Sequence, residues 1–370
     1  MRNSVLILIV YYPVFIAMML LQASCNKNAG KTEMAVTGCA TCLPAVVQIQ
    51  DKLPRESITF ILGEDRDTEN LYYTKAYDYY CYNPEGRTDQ IVTDCRSLLE
   101  VRDFLMTNPP SKGEPWGLIN LVSHGNQWVG LSVPVVPGAR RTTADQLIDL
   151  IKDDVFKELP DSIIDSDSEI NIRACGVGND SELLKAVSLA FGGVINKPQT
   201  KASMCFEYYT SERSNGIVTG SSRCEAQTWF TCYKKGYRPD DRILLRRLKN
   251  LYPNANIKWK DALSRESPRW TGDIYHYTFE VPVLWVVKYE DNDTLPDIST
   301  NDMKIKWVRE QTDLMRTLKK IKIEPEKFNW WFRKIYCKNE DGTRSPAIWA
   351  KGYCTILCVL KPLKDKEISI

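Results

Sequence analysis

Histidine is scarce in this sequence, which contains only His124 and His276 among its 370 residues. Neither lies close to a pair of cysteines, so the ligand spacing of a zinc site is missing. The glycine patterns of phosphate-binding and dinucleotide-binding loops are missing as well. We therefore expect neither a metal nor a cofactor, and an imidazole base must come from one of these two histidines.

An excess of positive charge is also missing. The 49 lysines and arginines nearly balance the 47 aspartates and glutamates, which gives a net charge of +2. Without a basic field, nucleic acid is not expected as a partner. The hydrophobic fraction of 43% and the charged fraction of 26% are those of a folded globular protein.

The N-terminus has the pattern of an export signal. Arg2 precedes an apolar run from Val5 to Leu21. This run has about 17 residues, which is at the low end of what spans a bilayer. A short basic region followed by an apolar core indicates export, with a retained membrane anchor as the alternative.

The residues that follow the apolar run resemble a bacterial lipoprotein signal, because the small residues Ala23 and Ser24 directly precede Cys25. The resemblance implies a signal peptide over residues 1–24, a lipid on Cys25 and a tether over residues 25–52. Such a lipid would anchor the protein to the membrane of the bacterial cell envelope, at the outer membrane or the periplasmic face. Plain secretion is the other possibility.

The twelve cysteines fit an oxidising compartment. Cys39 and Cys42 form a CxxC pair, but no strand and helix of the thioredoxin type flank them, which argues against a redox function. A structural disulfide from this pair to Cys81 or Cys95 is the milder interpretation.

Strand and helix signals alternate from residue 53 to residue 240. Runs of β-branched residues predict strands, and apolar residues three and four apart predict helices. This alternation is typical of an α/β fold with a mostly parallel sheet flanked by helices. The predicted strands are 58–62, 90–92, 117–122, 169–174, 194–195 and 204–209, the predicted helices are 98–105, one opened by Thr143 and one capped by Asn179 or Asp180, and residues 67–88 are predicted to be an insertion or hairpin.

Residues 241–370 differ in character and predict an α+β extension. Seven of the ten tryptophans follow residue 250. The patterns predict helices over 240–251 and 302–318, a strand or hairpin over 275–289, and a hairpin over 330–360 that turns at residues 340–342.

Two chemically versatile side chains directly follow predicted strands of the parallel sheet. His124 follows one strand and Cys175 follows another. Sites in such sheets form outside the carboxyl ends of the strands, so the two side chains are expected to meet there. An imidazole and the start of a helix both favour a thiolate. The amides of Gly125 and Gly176, or that of Cys175, are the predicted donors to an oxyanion.

The motifs around these residues resemble the caspase-like cysteine peptidases. Ser123-His124-Gly125 and Ala174-Cys175-Gly176-Val177-Gly178 are closest to the CHAT branch of that family, in which a serine usually stands at the position of Val177. The histidine lies about 50 residues before the cysteine, which is the offset found in caspases. The resemblance covers about residues 57–215.

The resemblance implies an enzyme of defined chemistry. Cys175 would be the nucleophile and His124 the general base and proton donor, in an endopeptidase that forms an acyl-thioester with a protein or peptide substrate. The end of the first strand, Glu64 and Asp65, would bind substrate and favour Arg or Lys, although Arg66 opposes this preference.

Two other functions fit the same residues. One is an α/β hydrolase with Cys175 as nucleophile and His276 as base, although the glycines of its nucleophile turn are not in register. The other is a catalytically inactive caspase-fold surface lipoprotein, which binds protein or glycan through its tryptophan-rich C-terminal part.

Overall fold

The computed structural model describes residues 5–6, 55–66, 71–214, 217–225, 228–267, 273–339 and 341–362. The predicted lipidation site Cys25, the tether and nearly all of the predicted signal peptide lie outside these residues. The strands are β1 (Val5–Leu6), β2 (Ser57–Ile61), β3 (Gln90–Val92), β4 (Leu118–Val122), β5 (Gly125–Asn126), β6 (Gly130–Leu131), β7 (Glu169–Arg173), β8 (Gln199–Ala202), β9 (Phe206–Ser214), β10 (Ile217–Glu225), β11 (Thr228–Lys234), β12 (Tyr275–Lys288), β13 (Asn329–Lys338) and β14 (Arg344–Leu360). The helices are α1 (Tyr72–Tyr82), α2 (Leu98–Thr107), α3 (Ala144–Lys152), α4 (Ser181–Gly192), α5 (Asp241–Leu251), α6 (Trp259–Ser264), α7 (Asn301–Glu310) and α8 (Thr312–Lys320), with 3-10 turns at Val177–Asn179 and Pro325–Lys327.

Five parallel strands form the first sheet, in the order β3-β2-β4-β7-β8. The α/β class predicted from the alternation is confirmed. The outer strand β8 was not predicted, and the strand predicted at residues 194–195 is wrong. Val194 and Ile195 lie in an exposed turn, with 74% and 89% of their surfaces accessible.

The two faces of this sheet have different chemistry. One face buries apolar side chains such as Phe60, Leu121 and Ile172 against α2, α3 and α4. The other face is partly polar: Asn120 donates a buried hydrogen bond to Thr59 at 3.0 Å. Helix α1 and the β9–β10 hairpin cover this second face.

Side-chain caps define where the helices of the first sheet begin. Ser97, Thr143 and Asp180 each accept a hydrogen bond from the amide three residues further along the chain, which satisfies an otherwise unpaired donor. Residues 72–82 form helix α1, so of the two alternatives predicted for residues 67–88 the hairpin is wrong.

A second, antiparallel sheet contains the long strand β14 at its centre. Strand β12 pairs along one side of β14, β13 and β11 pair along the other, and β1 pairs with the far side of β12. The predicted hairpin over 330–360 is confirmed. The helix predicted over 302–318 is two helices that meet at Gln311. Because β11 belongs to this sheet, the sheet begins before the predicted boundary at residue 241.

The loop after His124 connects the first sheet to the core of the second. Trp128 and Val129 lie in that second core, where the Trp128 ring centroid is 5.1 Å from that of Phe230 and 5.2 Å from that of Phe279. The described helices include none with the length and apolar character needed to cross a membrane.

Candidate active site

Four hydrogen-bonding groups fix the backbone around His124. Its amide donates to the Tyr73 hydroxyl at 3.1 Å. Its carbonyl oxygen accepts from the Ser132 amide at 2.7 Å and from the Ser123 hydroxyl at 2.9 Å. The Ser123 hydroxyl in turn accepts from the Val133 amide at 3.2 Å, so the histidine leaves β4 in a single orientation.

The His124 imidazole lies between two tyrosine rings. It stacks on Tyr72 with centroids 4.4 Å apart and contacts the edge of Tyr73 at 4.9 Å. None of the described residues hydrogen-bonds to its ring nitrogens. Burial lowers the pKa of His124, while the charge of Asp65 raises it and that of Arg141 lowers it further. The neutral imidazole, which is the form that acts as a base, is therefore favoured.

Cys175 and His124 follow neighbouring strands of the first sheet, β7 and β4. In the register of this parallel pair, Val122 is opposite Arg173. The Ser123 amide continues the pairing by donating to the Arg173 carbonyl oxygen at 3.2 Å. His124 and Cys175 each lie two residues beyond the paired positions, so they occur at the same edge of the sheet. The sheet thus brings the two predicted residues to the same edge, after neighbouring strands.

Tyr72 is a neighbour that both residues share. Its ring stacks on His124, and its hydroxyl donates to the Arg173 carbonyl oxygen at 3.1 Å. Burial is the main cause of the raised pKa of Tyr72, and the charge of Cys175 is one of several nearby charges that raise this pKa further. The phenol therefore stays neutral between the two groups.

The Cys175 sulfur is a half-buried thiol and is not part of a disulfide. It donates to the carbonyl oxygen of Glu207 in the β9–β10 hairpin, with 3.7 Å between sulfur and oxygen. The carbonyl oxygen of Glu207 is thus a hydrogen-bond partner of this sulfur. Hydrogen bonds between catalytic groups often tighten only when substrate binds.

The oxyanion-donor role predicted for Gly176 is wrong, because this residue forms a turn. Its amide donates to the Cys205 carbonyl oxygen at 2.8 Å, so this donor is used within the fold. Its φ of 65° lies in the left-handed region that favours glycine. This turn leads into the 3-10 turn at Val177–Asn179, and α4 begins at Ser181 with Asp180 as its cap, as the sequence predicted.

Gly125 keeps a geometry that suits an oxyanion donor. It is opposite Leu131 in the β5–β6 ladder, in a pair of residues that do not hydrogen-bond to each other. The Leu131 amide donates instead to the Thr142 carbonyl oxygen, at 2.9 Å. A side chain at Gly125 would come within 3.2 Å of Ala174, the residue before the nucleophile.

The two acidic residues predicted to bind substrate are engaged by the protein itself. The Asp65 carboxylate accepts from the amides of Tyr73 and Thr74, each at 2.9 Å, and so caps the first turn of α1. Glu64 forms an ion pair with Arg96 at 2.5 Å. We therefore do not assign these carboxylates to substrate binding.

Asp65→Ala is expected to destabilise the protein by about 1 kcal/mol, because two amides at the start of α1 lose their acceptor. Asp65→Asn keeps an acceptor oxygen and should lose less. Urea unfolding of both variants measures this difference. Unchanged stability together with a changed substrate preference would instead return Asp65 to the substrate site.

Arg141 could not be identified from the sequence, because backbone pairing between segments of the folded chain sets its position. Thr142 is fully buried and exchanges backbone hydrogen bonds with Leu131, at 2.9 and 3.1 Å. Gly130 permits this approach, since a Cβ there would lie 2.0 Å from the Thr142 carbonyl oxygen and its φ is 73°. The pairing carries Arg141 back to the hairpin that follows His124.

Tyr277 is contributed by β12 of the second sheet and was also missed. Burial raises the pKa of Tyr277, the charge of Cys175 adds to this rise, and the charge of Arg141 opposes it. The Tyr277 hydroxyl is therefore close enough to both groups to respond to their charges. The second sheet thus contributes to the environment of the nucleophile.

A buried ion pair includes Arg173, two residues before Cys175 in the chain. The Arg173 Nε is 3.2 Å from Oε1 of Glu207, while Oε2 of this glutamate is buried without a hydrogen-bond partner among the described residues. Burial raises the pKa of Glu207, and the charge of Arg173 lowers it. This pair joins the strand that carries the nucleophile to the β9–β10 hairpin.

His276 has a structural environment. It is buried, and its Nδ1 lies 2.9 Å from the carbonyl oxygen of Ala262. Because side chains alternate along a strand, His276 is on the opposite face of β12 from Tyr277, the residue near Cys175. The α/β-hydrolase alternative therefore finds no support.

Cys81 and Cys95 are both thiols, so the suggested disulfide to the CxxC pair is not formed. Cys205 is disulfide-bonded. No protein-family model, no curated protein and no solved structure matches this chain.

Proposed function

We propose that this protein is a cysteine endopeptidase with Cys175 as nucleophile and His124 as general base. The observation that carries this proposal is the register of β4 and β7, in which both residues lie two positions beyond the paired ends of neighbouring parallel strands. A thiol beside an imidazole is the pair that nucleophilic catalysis by cysteine requires. The order of the two motifs along the chain supports a caspase-like peptidase.

The proposed reaction has two stages. His124 takes the proton of the Cys175 thiol, and the sulfur attacks the carbonyl carbon of a peptide bond. The amides of Gly125 and Cys175 stabilise the oxyanion, the C–N bond breaks, and the imidazolium gives its proton to the amine that leaves. Water, activated by His124, then hydrolyses the acyl-thioester and restores the thiol.

The proposed location of this reaction is the bacterial cell envelope. The Ala23-Ser24-Cys25 sequence supports a lipoprotein anchored through Cys25, so protein or peptide substrates would be cleaved at the membrane surface. Metabolic labelling with a palmitate analogue tests the anchor: the wild type should take up label and Cys25→Ala should not.

A peptide acyloxymethyl ketone that carries a fluorophore tests the peptidase. This reagent forms a thioether only with an activated cysteine, so wild-type protein should be labelled and Cys175→Ala should not be. His124→Ala should be labelled more slowly by about 10²-fold or more, because the base is lost. In-gel fluorescence at matched protein concentration measures the labelling.

The matched control is Cys337→Ala, which removes another half-buried thiol remote in sequence from the site and should be labelled like the wild type. Labelling of Cys175→Ala at the rate of the wild type would exclude the mechanism. If the wild type is not labelled at all, the inactive surface lipoprotein that binds protein or glycan becomes the better hypothesis.

A further inference from the structure

The orientation of the His124 ring is not set by a hydrogen bond within the described part of the chain, where this residue forms hydrogen bonds through its backbone. In a catalytic triad a carboxylate on the second ring nitrogen orients the imidazole, and disabling that carboxylate costs about 10⁴-fold in rate. The carboxylate of Asp65 is already used by two amides of α1. Other contacts must therefore orient an imidazole that takes a proton from Cys175.

The first two residues of α1 supply such contacts. The Tyr72 ring stacks on the His124 imidazole, with 4.4 Å between the centroids and 30° between the planes. The Tyr73 ring contacts the imidazole at 4.9 Å, with 66° between the planes. The planes of the two tyrosine rings are themselves 80° apart. Because the imidazole is in contact with two rings of different orientation, it has little freedom to turn about its side-chain bonds.

Both tyrosines are also bonded to the strand ends that carry the candidate dyad. The Tyr72 hydroxyl donates to the Arg173 carbonyl oxygen at 3.1 Å, at the end of β7. The Tyr73 hydroxyl accepts from the His124 amide at 3.1 Å, just after β4. Each tyrosine is only 7% exposed. The two rings therefore have fixed positions relative to both strands.

The segment between β2 and α1 sets where these rings lie. A Cβ at Gly63 would come within 2.2 Å of the Tyr73 ring, so this position has to be a glycine. Asp65 accepts hydrogen bonds from the amides of Tyr73 and Thr74 and so fixes the first turn of α1, where the adjacent residue provides no side-chain cap. Local structure thus places the two tyrosines against the imidazole before any substrate arrives.

We propose that Tyr72 and Tyr73 are positioning residues, which hold the His124 imidazole in the orientation that takes the proton of Cys175. They replace the carboxylate of a triad in this task, and the inference rests on the proposed function. The rings act through the base, so they contribute to the rate of the chemical step and not to substrate affinity. A misplacement of about 1 Å in a catalytic group can cost about 10²-fold in rate.

Kinetics of labelling with the peptide acyloxymethyl ketone test this role. Tyr72→Leu should lower the maximal labelling rate by about 10- to 100-fold and leave the probe concentration at half-maximal rate unchanged, because orientation is lost while binding is kept. Tyr72→Phe keeps the ring and should retain most of the wild-type rate. Gly63→Ala keeps both tyrosines, but its methyl group must push the Tyr73 ring aside, so it should also slow labelling.

Tyr80→Leu is the matched control. Tyr80 is another buried tyrosine of α1, at 3% exposure, and its ring contacts are with Tyr79 and Tyr209. Urea unfolding should find Tyr80→Leu destabilised about as much as Tyr72→Leu. Its labelling rate should nevertheless equal that of the wild type, because the contacts of the imidazole are intact.

The small number of histidines allows the imidazole to be observed directly, without any reaction. With ¹³C at Cε1 of histidine, NMR should show two imidazole signals, of which the buried His276 is the internal reference. In Tyr72→Leu the His124 proton should lose the upfield shift caused by the stacked ring. Its pKa should rise, because burial is the main cause that lowers it. The charges that act on this imidazole are unchanged in the variant, namely those of Asp65, Arg66 and Arg141.

Several results would overturn the positioning role while wild-type protein is still labelled. They are an equal loss of rate in Tyr80→Leu and Tyr72→Leu, a loss in Tyr72→Phe as large as in Tyr72→Leu, a wild-type rate in Gly63→Ala, or a His124 signal that Tyr72→Leu leaves unchanged. A wild type that reacts with no probe would overturn the peptidase, and with it the role of the tyrosines, whatever the NMR signals show.

Discussion

Arg173→Met is expected to lower the free energy of unfolding by about 3–5 kcal/mol, the effect of removing one partner of a buried ion pair. Glu207 would remain buried beside Tyr209 without its cation. The loss should exceed that of an exposed pair such as Lys235 with Glu280, because water already solvates both of those charges. Urea unfolding at pH 7 measures both variants, with Lys235→Met as the control.

The pH dependence separates the buried charge from a simple packing defect. Without Arg173, burial acts on Glu207 against only the hydrogen bond with Tyr209, so the pKa of Glu207 in the folded state lies above that of the unfolded chain. The folded state then binds more protons as the pH falls, so the deficit of Arg173→Met should shrink between pH 7 and pH 5. The double variant Arg173→Met with Glu207→Gln should recover much of the loss. A deficit that is unchanged by pH and by the second substitution would assign it to packing.

The parallel sheet could be predicted because its central strands are short apolar runs with clear ends. Helix α1 could not, since tyrosines occur on all its sides. Tyr72, Ala76 and Tyr80 repeat at a spacing of four and face inward, but the exposed Tyr77 and Tyr82 obscure that stripe. Its first turn is also capped by Asp65, several residues upstream, rather than by an adjacent residue, so the usual local start signal is missing.

The residues of the candidate site also fall into two groups, those that the sequence predicts and those that it does not. His124 and Cys175 could be predicted because the end of a strand is a local property of the sequence. Arg141 and Tyr277 could not, because one is placed by backbone pairing across the hairpin after β4 and the other comes from a different sheet. The amide of Gly176 looked available only because its partner, the Cys205 carbonyl, is remote in sequence.

His124→Gln is expected to lower kcat/KM for a cleaved peptide by about 10²- to 10⁴-fold, because general base catalysis is lost while the protein remains folded. In the wild type, activity should fall on the acid side with a midpoint below pH 6.5, the ordinary pKa of histidine. The reason is that burial and the charge of Arg141 favour the neutral imidazole. The pH profile of kcat/KM between pH 4.5 and 8 measures this midpoint, with the substrate chosen to be uncharged over the range.

Two charge-removing variants test the direction in which neighbouring charges shift the pKa of His124. Arg141→Met removes a like charge, so the pKa of His124 should rise and the acid midpoint should move to higher pH, towards 6.5. Asp65→Asn removes an opposite charge and should move the midpoint the other way. The paired shifts require that the imidazole itself titrates, because a midpoint set by substrate or by unfolding would not respond with opposite signs. A midpoint at or above pH 6.5 in the wild type, or two shifts in one direction, would remove His124 from the role of base.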